Sequence, residues 1–351
     1  MKGIRYILIL LTLCVAVVSC EREEGHRHPI EGTGKLIQFS VESEWPTISK
    51  AAINGVEGMV NNMFKVWGTW HQDPSDLYYS KASIPVFTPN GTYVDIVSVG
   101  NGIYEGRCKS EAEWFAGYYN FAALYPMTFS ATQDTEFEKS TTGNATMLKY
   151  TNKLNITFPK MGQNGTYHLG NSQNDLMYAF HNEDNSAETS SVVNLKFNHL
   201  FSLLTIKISS NSTLTLPRLN EIIIYGIHSS VSGSFTITQK ETVSYISEEG
   251  LQRSFEIYHD LKDLLNNAVI STETNPYKRF EFTQTDFDYG SIDTMTPIKD
   301  LLVYPETLSD TCQLNIKIIY EEGGITKVKT ATINTGEWES GKSYAYTLLT
   351  D

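Results

Sequence analysis

The chain has 351 residues, 40% of them hydrophobic and 19% charged, with 27 Lys+Arg against 40 Asp+Glu and a formal net charge of −13. This length is enough for two cores, and an acidic balance with no lysine- or arginine-rich cluster excludes nucleic-acid binding through phosphate neutralisation. Four cysteines, of which only Cys108 and Cys312 lie in the body of the chain, make no disulfide framework.

Lys2 and Arg5 precede an apolar run from Tyr6 to Val18, broken only by Thr12. The run is shorter than the ~20 residues of a spanning helix and reads as the core of a signal peptide over residues 1–19. It ends in Val17-Val18-Ser19-Cys20, which resembles the lipobox of bacterial lipoproteins. That resemblance implies an acylated N-terminal Cys20. The plain alternative is a secretory signal that happens to contain Cys14 and Cys20. Each buried acyl methylene contributes about 0.8 kcal/mol, so several chains on one cysteine hold a soluble domain firmly at a membrane. Removing residues 1–19 takes Lys2 and Arg5 and no acidic residue, moving the charge from −13 to −15. Residues 20–34 are polar, with Glu21-Arg22-Glu23-Glu24 and then His26, His28 and Pro29 among glycines. Such composition buries no core and reads as a tether. An acidic patch behind the lipidated cysteine also resembles the surface-export signal of Bacteroidetes lipoproteins.

From residue 35 the apolar period is two almost everywhere. In "KLIQFSVES" Ile37, Phe39 and Val41 share one face, and "MFKVWGTW" sets Phe64, Val66 and Gly68 against Lys65 and Trp67. Pro89-Asn90-Gly91 between two β-rich runs predicts a hairpin. Ser110, with Glu113 three residues on, is a capping box, predicting one short helix through "EAEWFAGYYNFAALYP" that Pro126 stops. Strands resume in "MLKYTNKLNITFP", around Asn152-Lys153, and in "DLMYAF", followed by a polar break from His181 to Ser191. Leu203 to Ile206 are apolar on both faces, as where a chain passes into a second sandwich. In the second half Leu314, Ile316, Ile318 and Tyr320 form one face before Glu321 to Gly324 turn the chain back. The expectation is an all-β chain of two tandem β-sandwiches (transthyretin-like/Greek-key), residues 35–198 and 199–351, with one short helix in the N-terminal domain.

Four stretches together resemble the fimbrillin family of Bacteroidetes: "DLMYAF" at 175–180, "FNHLFSLLTIKI" at 197–208, "LLVYPETL" at 301–308 and the terminal "GEWESGKSYAYTLL" at 336–349. With the lipobox in front, the similarity spans essentially the whole chain. The resemblance implies a structural subunit or accessory component of a type V pilus, exported as a lipoprotein, trimmed by a surface protease and polymerised by β-strand exchange. Its implied partners are other pilin subunits, the outer membrane through the lipid, and a host or bacterial surface ligand. Its implied location is the outer-membrane surface and the fimbrium. The exchangeable first strand would carry Ile37, Phe39 and Val41, and the donor would be "SYAYTLL", with Tyr344, Tyr346 and Leu348 on one face. The family is typically processed at an arginine after the first strand. No arginine lies between His28 and Gly106, and Lys50 is the only basic residue between that strand and Phe64, so the processing position passes to Lys50. Asp293-Thr294-Met295 resembles the short motif for O-linked glycans in Bacteroidetes, which implies Thr294 as an attachment site.

No zinc-protease motif, nucleophile elbow or phosphate loop is present, so no enzyme, cofactor or metal site is expected. Asp286, Asp288 and Asp293 lack the full calcium-loop pattern and read as a solvated turn. His199 reads as a bonded core residue. Cys108 and Cys312 are either a long-range disulfide or two buried thiols. Trp45, Trp67, Trp70, Trp114 and Trp338 read as core, whereas a solvent-facing row of them would favour the alternative of a surface glycan-binding lipoprotein.

Overall fold

The structure, a computed structural model, describes residues 34–43, 59, 62–73, 83–100, 103–127, 129–158, 167–168, 175–189, 192–209, 218–246, 250–266, 268–281 and 297–349. The first half holds β1 (Gln38–Ser43), β2 (Met63–His71), β3 (Ile84–Pro85), β4 (Thr92–Gly100), β5 (Ile103–Cys108), β6 (Tyr118–Tyr125), β7 (Ser130–Thr142), β8 (Ala145–Thr157), β9 (Tyr167–His168), β10 (Met177–Asp184) and β11 (Val192–His199). The second holds β12 (Ser202–Ser209), β13 (Arg218–Tyr225), β14 (His228–Val231), β15 (Ser234–Ile246), β16 (Gly250–His259), β17 (Val269–Ile270), β18 (Lys278–Glu281), β19 (Pro297–Val303), β20 (Thr307–Leu308), β21 (Leu314–Glu322), β22 (Ile325–Ile333), β23 (Gly336–Glu337) and β24 (Ser343–Leu349). The chain is all-β, and its sheets meet across shared apolar cores.

An eight-stranded sheet runs in the order β3-β2-β4-β5-β1-β11-β10-β6, with β2 also paired to β6. Ile37, Phe39, Phe64, Val66, Phe121, Leu195 and Phe197 belong to a core on one side. Trp67, Ala122, Leu124 and Tyr178, from the same sheet, belong to a second core with Leu154, Ile156, Phe235 and Ile237. Strands apolar on both faces, such as β6 with all eight residues buried, separate two cores. The three-stranded sheet β19-β12-β24 does the same. Leu203 and Leu302 face the second core, while Leu204, Ile206, Leu301 and Val303 face a third with Ile222, Ile316, Trp338 and Leu348.

The passage from β11 to β12 falls beside residues 198/199, yet the sheet β16-β15-β8-β7 takes two strands from each side of that point. β8 and β15 pair antiparallel from Ser234↔Thr157 to Ile246↔Ala145. A buried amide layer reinforces this junction. Asn182 donates to Gln239 at 3.0 Å and to Glu241 at 2.8 Å, and accepts from Asn120 at 3.1 Å.

Three local expectations are corrected. The helix from Ser110 does not form: Trp114 N–H donates to Lys35 O at 3.0 Å, Ile37 N–H to Ala112 O at 2.8 Å, and Tyr118–Tyr125 is β6. A helix cap contributes only about 1 kcal/mol, less than burying an aromatic-rich run as a strand. The one helix among the described residues is Leu261–Leu265, which buries Leu261 and Leu265 in the second core. The Asn90-Gly91 turn exists, with Gly91 at φ 75 and a Cβ there only 2.5 Å from Val66 O. Its flanking strands do not pair with each other, however. β3 and β4 each pair with β2, because that strand offers one edge long enough for both. The strand expected around Asn152-Lys153 is present as β8, which runs straight through both residues. Asn152 is fully buried and donates to Phe121 O at 2.9 Å, which satisfies a polar residue inside a strand. The polar break begins only after Asp184, since His181 to Asp184 still belong to β10. The hairpin β21–β22 turns at Gly323-Gly324 as expected, both with positive φ.

Candidate strand-exchange site

β1 lies inside the eight-stranded sheet. It pairs parallel with β11 from Gln38↔Val192 to Ser43↔Phe197 and antiparallel with β5 at Phe39↔Gly106 and Ser40↔Glu105. Alternation puts Ile37, Phe39 and Val41 into the core at 5%, 2% and 5% exposure, while Gln38 and Glu42 face out. At about 1.5–3 kcal/mol per buried side chain, these three anchor the strand. The Phe39 ring packs edge-on to Phe121, with centroids 5.9 Å apart. Its seat depends on Gly106 opposite, where a Cβ would come within 2.7 Å of Val94 Cγ1 and 3.0 Å of Phe39 Cβ. Ser40 donates its hydroxyl to the Asn194 side chain, which adds a polar register mark on the outer face. A vacated β1 would leave an apolar trough between β5 and β11, with Gly106 on the β5 wall and open backbone groups along both walls.

β24 is held differently. It pairs parallel with β12 from Leu203↔Ser343 to Ser209↔Leu349 and stands at the end of its sheet among the described residues. Leu348 is 7% exposed in the third core, and Tyr344 and Tyr346 are half-buried. The Tyr346 hydroxyl accepts from Trp338 Nε1 at 3.1 Å, and the Tyr344 hydroxyl from Glu339 N–H at 2.8 Å. β24 alternates as β1 does, but with two half-buried tyrosines and one leucine where β1 has buried Ile37, Phe39 and Val41.

Cys20, Lys50 and Thr294, like Trp45, Asp286, Asp288 and Asp293, lie outside the described residues. Trp67, Trp70, Trp114 and Trp338 are all at most 5% exposed. Cys108 and Cys312 are free thiols, so the disulfide alternative is not realised. His199 Nδ1 lies 2.8 Å from Asp175 Oδ2 with both residues buried, a bonded core histidine as expected. The sequence reading missed Gly106, whose importance depends on an opposing strand 67 positions away. It also missed the grouping of His228, Glu306 and Cys312. No short motif signals either.

A family model described as fimbrillin-like matches residues 68–350, from within β2 to the end of β24. The chain belongs to this family. Membership supports a fimbrial subunit or accessory role for this fimbrillin-like protein. Similar solved structures include a proposed cell adhesion protein from Bacteroides uniformis, at 14% identity and TM-score 0.40 over 91% of this chain and 94% of that one. A fimbrial protein from Bacteroides ovatus matches at 11% identity and TM-score 0.31, over 91% of this chain and 49% of that one. The fimbrial anchor protein Mfa2 from Porphyromonas gingivalis matches at 10% identity and TM-score 0.27, over 69% and 82% of the two chains. No curated protein matches the sequence. Among the described residues no helix is long and apolar enough to cross a membrane.

Proposed function

We propose that this fimbrillin-like protein is a non-enzymatic fimbrial subunit or accessory component, exported as a lipoprotein on Cys20 and assembled at the outer-membrane surface by β-strand exchange. The slot now filled by β1 is the acceptor, opened by cleavage after Lys50, and β24 is the donor. The carrying observation is that β1 is interior to its sheet and buries Ile37, Phe39 and Val41, so its removal exposes a groove that only another alternating strand fills well. Residues 35–198 and 199–351 serve as two bodies joined through the shared four-stranded sheet. The buried tryptophans weigh against a glycan-binding face.

The test compares residues 51–351 with residues 20–351 made without lipid. The shorter chain should self-associate, or bind a synthetic "SYAYTLL" peptide, while the longer stays monomeric. A short chain that is monomeric, peptide-blind and as stable as the long one ends the strand-exchange reading. The anchor is tested by Cys20→Ser, which should leave the membrane fraction, and continued sedimentation without acyl label contradicts it. Glycosylation at Thr294 predicts added hexose mass on its peptide from native protein, and an unmodified peptide rules it out.

A further inference from the structure

Away from the β1 slot, three chemically reactive side chains converge, one of them from a distant part of the chain. His228 opens β14, Glu306 lies between β19 and β20, and Cys312 precedes β21. Their ligand atoms all lie within 4.8 Å of one another. Cys312 Sγ is 2.9 Å from Glu306 Oε2 and 3.8 Å from His228 Nδ1, and His228 Nδ1 also contacts Glu306 Oε2. Glu306 and Cys312 are 9% and 6% exposed. From these side chains we infer that His228 Nδ1, Glu306 and Cys312 Sγ form a binding site for one divalent transition-metal ion of the zinc type.

Donor chemistry selects the class. Imidazole nitrogen, carboxylate oxygen and thiolate sulfur form the mixed set that suits zinc, whereas calcium and magnesium take oxygen alone. One edge already fits: with Zn–S of about 2.3 Å and Zn–N of about 2.0 Å, a tetrahedron needs an S···N edge of roughly 3.6 Å, against the 3.8 Å found. The Glu306 carboxylate, now in hydrogen-bond contact with both partners and 2.9 Å from Cys312 Sγ, would swing back to roughly 3.5 Å to admit the ion. A second, independent observation points to a ligand. Glu306 Oε1 is buried without any hydrogen-bond partner, a vacancy that a carboxylate does not tolerate well. A cation between the three groups would engage that carboxylate through either oxygen. Room exists for a fourth donor, because all three residues line a cavity of about 650 Å³ together with His259 and Trp338. His259, held by Ser340 Oγ 2.8 Å from its Nε2, is the other imidazole on that wall.

On binding, the Cys312 S–H bond breaks, its proton passes to solvent, and the sulfur lone pair forms the bond to the metal. The ion would tie β14 to the chain on either side of β20, clamping the body that carries β24.

The experiment uses the chain from Glu21 onward, which keeps every described residue and removes Cys20. Cobalt(II) should bind at one equivalent with a near-ultraviolet sulfur-to-cobalt charge-transfer band, and zinc should displace it and raise the melting temperature. Cys312→Ser should abolish the band, Cys108→Ser should leave it intact, and His228→Gln should weaken binding by at least about tenfold. X-ray absorption of the zinc-loaded, unsubstituted protein gives a result that no folding defect can mimic: one sulfur at about 2.3 Å with nitrogen and oxygen at about 2.0 Å. Absence of one-equivalent binding, a band that survives Cys312→Ser, or a sulfur-free zinc shell overturns the site.

Discussion

β1 and β24 are both laid parallel on strands that are consecutive in the chain, β1 on β11 and β24 on β12. Only β1 has a strand on each side, and it buries three large side chains where β24 buries Leu348 and half-buries two tyrosines. Two ladders and three anchors make β1 costly to lose and its vacated slot deep. One ladder and one anchor make β24 easier to release, and its free edge is already open to a partner among the described residues. On the proposed strand exchange, the contrast would let one chain hold both roles, with a deep slot to be filled and a weakly held strand to be given up.

The largest effect should come from anchors of unequal weight. Phe39→Ala is expected to destabilise the chain by about 3–5 kcal/mol, and Leu348→Ala by about 2 kcal/mol, since a site at a sheet's end collapses more readily. Urea unfolding of both variants reads the difference, and equal losses would break the comparison.

A pH effect of about 3 kcal/mol should arise in the sheet that holds β1 but outside the core β1 fills, where His71 packs on Phe137. His71, in β2, is 3% exposed, and burial pushes its imidazole down from 6.5 to about 4, with a hydrogen bond to Asn120 working against the shift. Between those values the unfolded chain binds a proton that the folded chain refuses. Stability is therefore complete above pH 6.5 and is lost as pH falls toward 4. His71→Phe should flatten that slope in urea midpoints taken across the range, and an unchanged slope would assign acid sensitivity elsewhere.

The smallest effect sharpens the comparison most. Gly106→Ala sets a Cβ against Val94 and Phe39 and should cost about 1–3 kcal/mol by overpacking. In the chain that lacks β1 the same substitution should cost less, because Phe39 is gone. An equal cost in both chains would show that Gly106 serves β4 and not the slot.

Much of this was legible beforehand. Strict alternation in Ile37-Phe39-Val41 and Leu314-Ile316-Ile318-Tyr320 set which face is buried, because a strand's side chains alternate whatever its partner. Gly323-Gly324 set a reversal, because glycine takes positive φ without a Cβ penalty whatever lies around it. The Ser110 capping box misled, since a local signal of about 1 kcal/mol met a run that tertiary burial claimed as β6.

What the sequence determined by itself, then, was the all-β class, the buried faces and the family resemblance, all carried by residues near one another in the chain. Only the tertiary structure decided that β1 is interior and β24 terminal, and that β8 pairs with β15 across the middle of the chain. It alone brought His228 to Glu306 and Cys312. Each of these depends on which strand lies beside which. Strand pairing uses backbone groups that every residue shares, so the choice of partner is made by the whole set of cores packing at once.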